Sequence, residues 1–69
     1  MDDETEYRVE YQITRRLPGE DDFTEIGFGS SGAWSSIDMC VHIVGSAVQN
    51  GEWETEPGMP LPKEVIWDA

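Results

Sequence analysis

The chain has 69 residues, and fifteen acids against four bases give it a formal charge of −11. That length holds one domain, spanning 1–69, because domains rarely fall below roughly 50 residues, and so small a core gains from a second copy. Few cations are available to displace counterions from DNA or RNA, which excludes direct nucleic-acid binding and disfavours anionic membranes; a single cysteine, Cys40, excludes an internal disulfide, and Cys40 with the single histidine, His42, cannot build a zinc cage.

The charge is unevenly placed. Residues 1–25 hold nine acids and three arginines, net −6; residues 26–51 hold Asp38 alone, net −1; residues 52–69 hold five acids and Lys63, net −4. Residues 1–5 read as a disordered acidic N-terminus. They lack the positive n-region and apolar run of a secretory signal, so the expected compartment is the cytoplasm, which suits a free Cys40. The stretch from Ile37 to Val48 is interrupted by Asp38, His42, Gly45 and Ser46 and is too short to span a bilayer.

From Tyr7 to Thr14 the residues alternate, with Tyr7, Val9, Tyr11 and Ile13 on one side and Arg8, Glu10, Gln12 and Thr14 on the other, the period of a half-buried antiparallel strand. Leu17-Pro18-Gly19-Glu20-Asp21-Asp22 supplies a turn, Pro18 setting φ and Gly19 offering a positive one. A second strand runs from Phe23 to Phe28 and closes a hairpin. Between Ala33 and Val48 the period changes to that of a helix: Ala33, Ile37, Cys40, Val41, Val44, Ala47 and Val48 share the face expected to form the core, and Ser35, Asp38, His42, Ser46 and Gln49 the polar one. Ser35 and Asp38 offer an N-terminal cap, and Asn50-Gly51 a stop.

Glu52-Trp53-Glu54-Thr55 alternates again and reads as a third strand. Residues 57–64 form a proline-rich connection, and Val65-Ile66-Trp67 adds a last short strand or tucks under the helix. The expected architecture is α+β: a small two-layer β-β-α-β arrangement with one helix packed on an antiparallel or mixed three- to four-stranded sheet. Its bare sheet face would carry Arg8, Glu10, Gln12, Thr14, Glu25 and Phe23. Trp34, Met39 and Ile43 border the apolar helical stripe and widen it beyond what one small sheet needs, so self-association as a homodimer is expected there or at a strand edge.

Several groupings invite chemistry. Gly27, Gly29 and Gly32 match G-x-G-x-x-G, with Glu52 twenty residues beyond the last glycine, the spacing of a dinucleotide fingerprint. That motif belongs to a parallel doubly wound sheet rather than a hairpin, and the negative charge repels a pyrophosphate, so a flexible strand-to-helix connection is the better reading. Cys40 and His42, two apart on a helix, cannot meet as a nucleophile and base. The P-x-x-P of Pro57 to Pro60 lacks a well-placed cation for a polyproline ligand and reads as a rigid connection. Of Trp34, Trp53 and Trp67, any left exposed is a candidate binding hot spot. The acids Glu20, Asp21, Asp22, Glu25, Glu52, Glu54 and Glu56 lack metal-loop spacing and read as a solvated acidic surface available to a partner.

The runs Phe23-Thr24-Glu25-Ile26-Gly27-Phe28-Gly29-Ser30-Ser31-Gly32-Ala33-Trp34 and Ser46-Ala47-Val48-Gln49-Asn50-Gly51-Glu52-Trp53-Glu54-Thr55 resemble small acidic proteins of actinobacteria and their phages. The resemblance covers most of residues 6–55, implies a bacterial host cytoplasm, and carries no functional residues with it. The expected function is non-enzymatic and needs no cofactor or metal: an accessory protein whose acidic surface binds and modulates a basic region of a host or phage protein, in its strongest form as a nucleic-acid mimic. The alternative is a structural or assembly protein acting as a homo-oligomer.

Overall fold

The alternation that begins at Tyr7 becomes strand β1 (Glu10–Arg15), paired antiparallel with β2 (Thr24–Ser30). The computed structural model describes residues 4–67, without the side chain of Trp67; Met1 to Asp3, within the expected disordered N-terminus, and Asp68-Ala69 lie outside the described residues. The regular ladder starts later than the pattern predicts because Ser31 inserts its side chain into it. Val9 N donates to Ser31 Oγ at 3.0 Å and Ser31 N donates to Val9 O at 2.9 Å, while Tyr7 and Trp34 exchange backbone bonds of 2.7 and 2.9 Å.

The hairpin loop follows its turn chemistry. Glu20 N donates to Leu17 O at 3.0 Å across Pro18-Gly19, with Gly19 at φ 91°, the positive value a type II turn needs after proline. One irregularity interrupts the pairing: Ile13 faces Gly27 while Thr14 faces Glu25, which makes Ile26 an extra residue in a β-bulge. Ile26 is nevertheless the most buried apolar side chain of the hairpin, 3% exposed.

Helix α1 (Ile37–Asn50) starts four residues after the predicted Ala33, because the Trp34 bridge to Tyr7 holds the preceding backbone extended. Its cap is Ser36 rather than Ser35. Ser36 is extended at φ −138°, and its Oγ accepts from Met39 N at 3.1 Å. The stop is where the sequence places it: Gly51 is left-handed at φ 70°, Glu52 N donates to Ala47 O at 2.8 Å, and Gly51 N donates to Val48 O at 3.3 Å, a Schellman pair of bonds.

The predicted third strand is reduced to one antiparallel bridge, in which Glu54 and Phe28 exchange backbone bonds of 2.8 and 3.0 Å on the outer side of β2. A second Pro-Gly turn follows, Met59 N donating to Glu56 O across Pro57-Gly58 at 3.0 Å, and it draws the chain off the sheet edge. Where a last strand was an option, the chain forms a short helix, α2 (Pro62–Trp67). Pro62 occupies its first position, where the missing N–H costs nothing, and Glu64 Oε2 reaches back to accept from Leu61 N at 3.3 Å. The content is α+β, but among the described residues the sheet has two strands instead of three or four.

The core is correspondingly small. Among the described residues its buried apolar members are Ile26, Cys40 and Trp53. The Trp53 indole lies directly over Gly27, and the Cys40 thiol donates to Tyr7 O at 3.3 Å, fastening α1 to the segment that leads into β1. Among the described residues β1 and β2 are the elements in broad mutual contact, and α1 is anchored beside them through buried Cys40. Ile37, Val41 and Val48, placed by periodicity in the core, are 54%, 59% and 37% exposed. The shape is elongated, 52 × 23 × 20 Å, with a radius of gyration of 14.7 Å against about 11 Å for a globular chain of this length.

Candidate functional site

The carboxylates expected to meet a partner fall in two groups, one at each side of β2 in the chain path. Glu20, Asp21 and Asp22 occupy the hairpin loop leading into the strand and are exposed; Glu25 lies within the strand and is half-buried. Glu52, Glu54 and Glu56 are exposed on the segment after α1, and the Glu54 bridge to Phe28 ties that segment to the outer edge of β2. The fold therefore brings both groups to the same strand. None of the seven is in an ion pair among the described residues, where Arg8 and Glu10 pair at 3.3 Å in solvent. Glu20 also has a local task, its Oε1 accepting from Leu17 N at 2.9 Å to brace the turn.

Tyr11 joins this surface from β1. Its ring crosses to Gly29, its partner in the ladder, and occupies the space a side chain there would need. Burial and, after it, the nearby Glu54 carboxylate push the Tyr11 phenol above its ordinary pKa of 10.0, because both disfavour a phenolate. At the hairpin end, Arg16 lies over the Phe23 ring at 5.4 Å, and Phe23 is 64% exposed. The loop thus presents an aromatic ring as well as acids.

The glycine motif acquires a different explanation. Gly27 and Gly29 lie inside β2 rather than in a strand-to-helix connection, and their missing side chains make room for Trp53 and Tyr11 respectively. Gly32 alone belongs to the connection, with a positive φ of 79°. This alternation of glycines on a strand, close to aromatic residues elsewhere, is a packing signal that the phosphate-loop pattern obscures.

The border residues assigned to self-association are separated by the fold. Trp34 is partly exposed, but its indole N–H donates to Ser31 O at 2.7 Å and its backbone is bridged to Tyr7, which gives it a structural task. Met39 is exposed on α1, and Ile43 is half-buried beside the Cys40 face. His42 is exposed on the polar side of the helix and Cys40 is fully buried on the other, so the two do not meet. Among the described residues there is no pocket and no group of three or more metal-ligating side chains. No helix among them is long and apolar enough to cross a membrane. No protein-family model matches the chain, and no curated protein or solved structure shows significant similarity to it.

Proposed function

We propose that this protein is a non-enzymatic accessory protein that binds a basic surface of a host or phage protein through the carboxylates gathered around β2. The observation that carries this reading is their unpaired state: Glu20, Asp21, Asp22, Glu25, Glu52, Glu54 and Glu56 lie in or beside one strand, and among the described residues none is in an ion pair. A surface of this kind steers a basic partner toward itself and gives specificity through the matching of opposite potentials. Exposed Phe23 adds an apolar contact at the end of the hairpin. In the strongest form of the proposal the carboxylates stand where phosphates would, and the partner is a nucleic-acid-binding protein.

The test uses the immobilised full chain and the heparin-binding fraction of an actinobacterial cytoplasm. Capture that weakens steeply with salt, is displaced by added duplex DNA, and is lost when Glu20, Asp21 and Asp22 are all replaced by lysine supports a nucleic-acid mimic. Capture that ignores both salt and the triple replacement overturns the proposal.

A further inference from the structure

Helix α1 presents more apolar surface than this chain covers. Cys40, Ile43, Val44 and Ala47 point inward to varying degrees, yet the adjoining row of Ile37, Val41 and Val48 remains exposed along the helix, with half-buried Val44 between them. Successive members of such a row lie three, four or seven residues apart and share one flank. The chain as a whole exposes 5512 Å², whereas a globular monomer of its 7.8 kDa exposes about 4,400 Å². That excess is spread along the elongated chain, and the exposed row on α1 is part of it.

From these observations we infer that the α1 flank formed by Ile37, Val41, Val44 and Val48 pairs with the same flank of a second copy. Charge selects the occupant. Residues 26–51 contain Asp38 as their one acid, so this is where two chains of charge −11 can meet without opposing their acidic hairpins and tails. A self-complementary patch of this kind forms a two-fold interface. An antiparallel pairing sets Ile37 against Val48 and Val41 against Val44 of the other copy, and it separates Asp38 from its symmetry mate. Gly45, beside the row, has open space where a side chain would stand, and there the second helix can approach closely. Pairing through α1 leaves the carboxylates around β2 free, so it is independent of the basic partner proposed above.

The experiment compares two variants that add the same charge to opposite flanks of one helix. Sedimentation equilibrium of the wild-type chain at tens of micromolar should give twice the chain mass. Val41→Glu places two unpaired carboxylates at the apolar centre of the interface and should reduce the mass to that of one chain. Met39→Glu, at the third helical position where a carboxylate suits the N-terminus, should leave the dimer intact. If Val41→Glu fails to fold alone, the wild-type melting temperature decides, since a coupled dimer melts higher at higher protein concentration. A monomeric wild type with a concentration-independent melting temperature overturns the inference, as does a dimer that survives Val41→Glu or is dissociated by Met39→Glu.

Discussion

Replacing Gly27 with alanine would set a methyl group inside the indole of Trp53, closer to its Cδ1 and Nε1 than real side chains pack, with Cγ at 3.0 Å. The strand has little freedom to retreat. On one side Gly27 is paired with Ile13, and the next residue, Phe28, is bonded to Glu54 on the other. The indole must therefore move, and it is one of the three buried apolar side chains among the described residues. Overpacking of this kind costs about 1–3 kcal/mol, and expulsion of a large aromatic ring about 3–5 kcal/mol, so about 2–3 kcal/mol is expected for partial displacement. Each kcal/mol moves the melting temperature of a domain this size by about 4–8 °C, which predicts a fall of roughly 10–20 °C. Thermal unfolding followed by far-ultraviolet circular dichroism, at one fixed protein concentration, reads the change. A double-mutant cycle isolates its cause: in a Trp53→Leu background the same alanine should cost less than about 0.5 kcal/mol, leaving a coupling of about 2 kcal/mol. A Gly27→Ala protein that melts within a degree or two of wild type, or a cycle with no coupling, would refute the packing of Trp53 on this glycine.

The remaining predictions concern the helix ends and Tyr11. Ser36→Ala should lower stability by about 1 kcal/mol in a denaturant titration, whereas Ser35→Ala should leave it within about 0.5 kcal/mol, because Ser36 Oγ is the acceptor for Met39 N. Gly51→Ala should cost about 1–2 kcal/mol by the same measurement, since an L-residue is strained at φ 70° and the new methyl group would lie 2.8 Å from Ile66 Cδ1. In a Tyr7→Phe background, ultraviolet titration of tyrosinate should place the Tyr11 transition above 10.0, and Glu54→Gln should lower it part of the way, leaving the larger effect of burial. The folded state then keeps a proton that the unfolded state releases, so this contribution to stability is complete below pH 10.0 and is lost as pH rises through the folded-state value. Stability that increases across that alkaline range would reverse the sign.

By itself the sequence determines the local structure. Period-two alternation, Pro18-Gly19, the helical period and Asn50-Gly51 place the hairpin and the end of α1, because each of these signals acts through bonds and rotamers within a few residues. The start of α2 was equally local, written in Pro62 and Glu64, but the prolines around it read as a continuous connection. What only the tertiary structure decides is which apolar residues find cover. Periodicity places Ile37, Val41 and Val48 on the core-facing arc of α1, but it says nothing about the width of the surface opposite, and a two-stranded hairpin with two isolated bridges among the described residues is too narrow to reach them. The same holds for the glycines. Gly27 and Gly29 match a phosphate loop in spacing, and it is the return of Trp53 and the cross-strand lean of Tyr11 that turn them into seats for aromatic rings. The acids were legible as a charge; their gathering around β2 follows from a single backbone bridge between Glu54 and Phe28, a contact between distant residues that no local pattern encodes.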